Sequence, residues 1–231
     1  NQHLGNSLNN CLSLTHLTLG IFSYFNQPLD NSLDKLSFLT HITFGSMFNH
    51  PLGNSLHNLQ SLTHIIFVDC FNCPLLDSLS NCSSLTNLVF GNYFSQPLSN
   101  VLDNHPLLTH IGLGHHFNQK LDLPHNIHSL SLNCDNASLI NYLPNCIEEI
   151  EFKIDYNLEL DNLPSSIKKI TFDNDSSYER ELNCLPNGLS ILQIPHSYDK
   201  QILSIPSTLK KLICSKDYPY KSDFAGIGIK V

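Results

Sequence analysis

The 231-residue sequence predicts a right-handed parallel β-solenoid, α/β or mainly β, with one strand in each of about ten repeats of 20–25 residues. Three observations carry this. The stretch Leu39-Thr-His-Ile-Thr-Phe-Gly-Ser-Met-Phe-Asn-His-Pro-Leu52 recurs from Leu62, Leu85 and Leu108, and in looser form along the rest of the chain. Each copy opens with apolar residues alternating with polar ones, the period-two signature of a strand buried on one face. An aromatic follows every strand but one, and in eight coils an aliphatic stands four residues beyond it, an offset that a stacked core explains.

Taking the first aliphatic of each repeat as position 1, the strands open at Leu14, Leu39, Leu62, Leu85, Leu108, Ile127, Ile147, Ile167, Leu189 and Leu209. Position 4 is Leu or Ile throughout, from Leu17 and Ile42 to Leu212, and position 6 runs from Leu19 and Phe44 through Phe172 and Ile194, ending in Cys214. Position 10 is Phe48, Phe71, Phe94, Phe117, Tyr156, Tyr198 and Tyr218; Phe25 and Tyr178 join the series if two residues are inserted after their strands. The repeat from Ile127 has Asn136 there instead. A glycine column at the strand exits, Gly20, Gly45, Gly91 and Gly114, predicts turns with positive φ.

The backs of the coils come in two kinds. Over residues 1–121 they carry Asn6-Ser7-Leu8, Asn31-Ser32-Leu33, Asn54-Ser55-Leu56, Asp77-Ser78-Leu79 and Asn100-Val101-Leu102. Apolar residues at i, i+3 and i+6 suit one helical or 3₁₀ turn, with the Asn or Asp as N-cap. Over residues 122–214 the coils are shorter and turn through Leu123-Pro124, Leu143-Pro144, Leu163-Pro164, Leu185-Pro186 and Ile205-Pro206, which predicts extended or polyproline-like backbone. Residues 1–214 therefore read as a single repeat solenoid of two styles, and 215–231 as a partial repeat and C-terminal cap with no strand after Lys221. The chain opens mid-repeat, since Asn1-Gln-His-Leu4 matches Asn26-Gln-Pro-Leu29, which suggests a fragment of something longer.

Composition narrows the function classes. The net charge of −8 is spread, and the 12 Lys and Arg residues form no patch, which argues against nucleic acid. No apolar run has the length of a membrane span and no signal-peptide pattern appears, so the expected location is cytoplasmic. Cys11, Cys82 and Cys214 occupy apolar slots and read as small buried hydrophobes, which also favours a reducing compartment.

Strand units of the form Leu-x-x-Leu-x-Leu resemble leucine-rich repeats. Phe25-Asn-Gln-Pro-Leu29, Phe48-Asn-His-Pro-Leu52, Phe71-Asn-Cys-Pro-Leu75 and Phe94-Ser-Gln-Pro-Leu98, following Phe44-Gly45 or Phe90-Gly91, more specifically resemble the FNIP repeat. That class occurs mainly in social amoebae and large DNA viruses of protists, and its members are thought to be interaction proteins, often with an F-box that links them to ubiquitin ligases. The resemblance covers about residues 1–218 and is strongest in the first half. Position 9 departs from the leucine-rich pattern, with Met47, Cys70, Tyr93 and His116 in place of Asn; the Asn at position 11 is expected to take over the turn-bonding role and to stack into a ladder.

Positions 3 and 5 face away from the core, so they form the candidate binding surface: His16, Thr18, His41, Thr43, His64, Ile66, Asn87, Val89 and His110, continued by Glu149, Glu151 and Lys169. Ile66 and Val89 form an outward apolar pair, the expected centre of a protein contact. A histidine row invites a metal or pH-sensing reading, but side chains leaving a flat sheet in parallel do not converge on one ion. Cys70-x-x-Cys73 has no second pair to complete a zinc site. Lys168 and Lys169 stand one coil from Glu148 and Glu149, where opposite charges predict cross-strand pairs rather than acid–base catalysis. No catalytic order, metal set or cofactor motif emerges. The expectation is a non-enzymatic protein–protein interaction module without cofactor, reading a protein partner on its sheet face, in a host or ubiquitin-ligase context. The alternative is a self-assembling scaffold, with a homodimer formed through the N-terminal coil.

Overall fold

The computed structural model describes the chain apart from Asn1, Ile21, Ser23 and Asp135 and the side chains of Ser99 and Asn100. The opening Asn1 and the capping role expected of Asn100 lie outside the described residues. Two compact units are formed, Asn1–Asn126 and Ile127–Val231.

Unit 1 carries β1 (His16–Thr18), β2 (His41–Phe44), β3 (His64–Phe67), β4 (Asn87–Val89) and β5 (His110–Leu113) in one parallel sheet in chain order. The register aligns equivalent repeat positions: Leu17 with Ile42, Ile42 with Ile65, Ile65 with Leu88, and Leu88 with Ile111. Unit 2 carries β6 (Ser129–Leu132), β7 (Glu149–Phe152), β8 (Lys169–Phe172), β9 (Ile191–Gln193), β10 (Lys211–Ile213) and β11 (Gly228–Lys230), again parallel and in register. The architecture is thus the parallel β-solenoid of leucine-rich-repeat type that the periodicity predicts.

The inward faces are sealed. Ile42, Phe44, Ile65, Phe67, Leu88 and Ile111 are buried, and so are Leu130, Leu132, Ile150, Phe152, Ile170 and Phe172. Behind them runs the aromatic spine. Phe25, Phe48, Phe71, Phe94 and Phe117 stack with centroids 6.2, 6.1, 6.1 and 6.4 Å apart and planes within 8°. In unit 2 the tyrosines 156, 178, 198 and 218 repeat the arrangement at 6.4, 6.4 and 6.3 Å. One coil alone could not cover such a ring; each is buried by its neighbours, a gain of roughly 2–3 kcal/mol per side chain.

Polar ladders knit coil to coil beside the spine. The backbone N–H of Asn49 donates to Asn26 Oδ1 at 3.0 Å, that of Asn72 to Asn49 Oδ1 at 2.9 Å, and that of Ser95 to Asn72 Oδ1 at 2.9 Å. The position-11 asparagine therefore takes the bonding role assigned to it. In unit 2 the N–H of Glu179 donates to Asn157 Oδ1 at 3.2 Å.

Several expectations need correction. In the glycine column only Gly20 has a positive φ, of 65°. Elsewhere the requirement is close approach: a Cβ on Gly91 would stand 0.9 Å from the Val68 carbonyl oxygen, because the coils touch backbone to backbone at the strand exit. The helix α1 (Ser99–Leu102) has Leu98, not a polar side chain, at its N-cap; the other backs of unit 1 are turns held by main-chain bonds such as Leu36 N–H to Leu33 O and Leu59 N–H to Leu56 O. In unit 2 the prolines open turns, with the N–H of Ile147, Ile167, Leu189 and Leu209 donating to the carbonyls of Pro144, Pro164, Pro186 and Pro206. Asn136 replaces the missing aromatic by a different device: its side chain accepts from Leu139 N–H and caps α2 (Ala137–Asn141), which buries Leu139 and Ile140. The tail does contain a strand, since β11 pairs with β10. All three of its residues are exposed, so its backbone completes the ladder without the burial that makes a strand visible in sequence. Finally, Cys82 and Cys214 are buried as expected, but Cys11 is exposed.

Candidate binding face

The two-residue period leaves positions 3 and 5 of every strand on the open side of the sheet. In β1–β5 position 3 forms one row, with His16 beside His41, His41 beside His64, His64 beside Asn87, and Asn87 beside His110. The imidazoles of His16, His41 and His64 stack face to face, 4.1 Å between successive centroids and 11–13° between planes. The position-5 row is Thr18, Thr43, Ile66, Val89 and Gly112. His16 and Thr18 are exposed, and the others from His41 to His110 are half-buried, Gly112 apart. Ile66 and Val89 are therefore half-buried rather than freely exposed. Rows one strand apart shield each other, and Val89 leans over Gly112, where a Cβ would meet its Cγ1 at 2.7 Å.

The threonines at position 2 set the chemistry of the histidine row. Thr40 Oγ1 donates to the Thr15 carbonyl at 2.9 Å and Thr63 Oγ1 to the Thr40 carbonyl at 2.9 Å. Each hydroxyl has one hydrogen, now committed. The contacts of Thr40 Oγ1 with His41 Nδ1 at 2.8 Å and of Thr63 Oγ1 with His64 Nδ1 at 2.9 Å are then made by the ring, with Nδ1–H as donor. The neutral ring keeps its lone pair on Nε2, away from the threonine. Burial, followed by the neighbouring imidazoles, holds His41 and His64 below the ordinary histidine value, so these two rings are uncharged at neutral pH.

The corresponding rows of unit 2 are charged. Lys169 Nζ meets Glu149 Oε2 at 2.8 Å and Lys168 Nζ meets Glu148 Oε1 at 2.5 Å, the cross-strand pairs that the spacing predicts. Lys168 bonded to it holds the Glu148 carboxyl below its usual range. Glu151 takes the Ser131 hydroxyl at 2.8 Å and pairs with Lys153 at 2.7 Å. Ile191 and Ile213, half-buried on this side among Lys169, Gln193 and Lys211, are outward apolar residues that the candidate surface omitted. The two-residue alternation places both on the outward side.

The strand exits hold a second omission. Position 9 is exposed at Met47 and Tyr93, and the Tyr93 ring lies 5.1 Å from that of His116. These residues replace the asparagine that a leucine-rich repeat buries there, and the replacement is the signal. The Cys70-x-x-Cys73 pair is unpaired thiols, with Cys73 Sγ donating to Asn49 Oδ1 at 3.3 Å. Among the described residues no three histidines, cysteines or carboxylates are grouped to hold a metal ion, and no helix is long and apolar enough to cross a membrane.

No protein-family model matches the chain, and no curated protein matches it either. Solved structures do. One is the giant-virus protein CroV588, described as a novel circular leucine-rich-repeat structure, with 29% identity and a TM-score of 0.57 over 89% of this chain. The chain spans about a third of that protein, 34% of its length. Another is the internalin InlF of Listeria monocytogenes, 15% identical with a TM-score of 0.59, covering 97% of this chain and 69% of the internalin. At that identity the second likeness is one of fold alone. The neighbours are leucine-rich-repeat proteins, in agreement with the repeat pattern.

Proposed function

We propose that the protein is a non-enzymatic interaction module that binds a protein partner on the open face of its parallel strands. One observation carries the reading. The inward positions hold the same kinds of residue in coil after coil, whereas the outward rows change from imidazole and threonine, through Ile66 and Val89, to the paired charges of Glu149 and Lys169. A core has no need of that variation. A recognition surface does, since discrimination between partners needs a sequence of distinct contacts. The more specific form, substrate selection for a ubiquitin ligase in a host cytoplasm, is supported by the FNIP-like motifs.

The test is the double substitution Ile66→Asp and Val89→Asp. Both side chains are outward, so the circular-dichroism spectrum should remain that of the parent, while capture of the partner from host lysate falls at least about tenfold, as loss of a central apolar contact implies. Undiminished capture by the folded variant overturns the choice of face.

A further inference from the structure

On the back of unit 1 the fourth and fifth coils enclose a cleft of about 610 Å³, whose wall includes Leu75, Leu79, Pro97, Val101 and His105. That volume falls in the range of small-molecule pockets. Two departures from the repeat meet there. His105 fills a slot held by Leu36, Leu59 and Cys82 in the preceding coils, and it is as buried as they are, at 2% exposure. Its ring is sealed from solvent at Nδ1, and that nitrogen has no hydrogen-bond partner. The second departure is Leu76, at the cleft and 79% exposed, with φ of 46°. Gly5 and Gly53 take the equivalent left-handed position with φ of 50°. A leucine there is strained, and it exposes an apolar side chain for no gain to the fold.

We propose that this cleft binds a small, uncharged, mainly apolar molecule carrying one hydroxyl, a phenol or aromatic alcohol in kind, with His105 Nδ1 as the hydroxyl's hydrogen-bond partner. The chemistry follows from the wall. Its aliphatic members favour an apolar body, and a hydroxyl, which can donate or accept, satisfies the unpartnered Nδ1 in either tautomer. Burial lowers the His105 pKa, so the ring is neutral at pH 7 and suits an uncharged ligand. Nδ1 is closed off from solvent in the free protein, so the hydroxyl reaches it as the wall opens. Leu76, strained and unpacked, is the lip that moves.

Phenol and toluene, alike in shape but with and without a donor, are the probes, titrated into the full chain and followed by methyl and imidazole-nitrogen NMR. Phenol should shift the Leu76, Leu79 and Val101 methyls and the His105 ring saturably, and bind at least about tenfold tighter than toluene, since a site with an unmade hydrogen bond rejects the analogue that cannot make it. His105→Leu restores the residue kind of Leu36 and Leu59 and should bring the two probes within about twofold of each other. Leu76→Gly should relieve the strained backbone, keep the fold and weaken phenol about fivefold through loss of the lip. The absence of saturable shifts with phenol, an undiminished phenol preference in His105→Leu, or unchanged phenol binding in Leu76→Gly each overturns the proposal. Should His105→Leu fail to fold, the Leu76→Gly and toluene comparisons still decide it.

Discussion

Tyr178 and Tyr198 occupy the same spine slot in adjacent coils, their rings 6.4 Å apart and both buried. Their hydroxyls have opposite fates. Tyr198 donates to the Arg180 carbonyl at 3.2 Å, and Tyr218 repeats the bond to the Lys200 carbonyl at 2.9 Å. The Tyr178 hydroxyl is buried without a partner. Its coil is two residues longer between strand and ring, Phe172 to Tyr178 against Ile194 to Tyr198. A made hydrogen bond contributes about 0.5–1.5 kcal/mol, whereas an unmade buried one costs about 1–3 kcal/mol. Tyr178→Phe should therefore stabilise by about 1 kcal/mol and Tyr198→Phe destabilise by about 1 kcal/mol. With a urea m-value near 2 kcal/mol/M, the midpoints should move about 0.5 M in opposite directions at unchanged slope. Midpoints that move the same way would refute the assignment of the orphaned hydroxyl. Alkaline pH offers a second check. Burial pushes the Tyr198 pKa up to about 12 from an ordinary 10.0, so its contribution is intact below pH 10 and lost as pH rises from there.

Two further outcomes are expected. Gly91→Ala drives a methyl into the Val68 carbonyl and should cost about 3 kcal/mol or more, seen as loss of cooperative unfolding or of soluble protein; a variant that melts with the parent would show the coils to be looser than their backbones indicate. His41, His64 and His105 are all held below the ordinary histidine value of 6.5. The folded chain then binds fewer protons than the unfolded one, so stability is full above pH 6.5 and falls as pH drops below it. Between pH 7.5 and 5.5 the Tm should fall by at least about 2–4 °C, with His105→Leu removing part of that fall. An identical drop in the variant would remove His105 from the account.

What was legible in the sequence is what every coil must repeat. Phe48, Phe71 and Phe94 could be placed in one column because burial imposes the same residue at the same offset each time. The asparagine ladder could be read for the same reason, since one main-chain donor per coil needs one acceptor. The illegible features depend on distances between coils. Gly91 looks like a turn residue until the Val68 carbonyl is seen against it. β11 shows no alternation because only its backbone is used. The depth of Ile66 and Val89 depends on the rows beside them, and the tolerance for Val89 depends on Gly112, a residue with no side chain to attract notice.

The face itself shows how fold letters reach into recognition. Thr40 and Thr63 recur as part of the coil, and their hydroxyl hydrogens go to the carbonyls of the coil before. That commitment turns Nδ1–H of His41 and His64 toward the threonines and leaves Nε2 of each ring as its acceptor. Replacing the threonines by valine would keep the shape yet free the rings to take either tautomer. The histidines supply the identity of the row, and the threonines decide whether it offers a partner lone pairs or hydrogens. Any partner matched to the face of unit 1 should therefore bring donors to His41 and His64 and apolar groups to Ile66 and Val89, in the order that the strand pairing fixes.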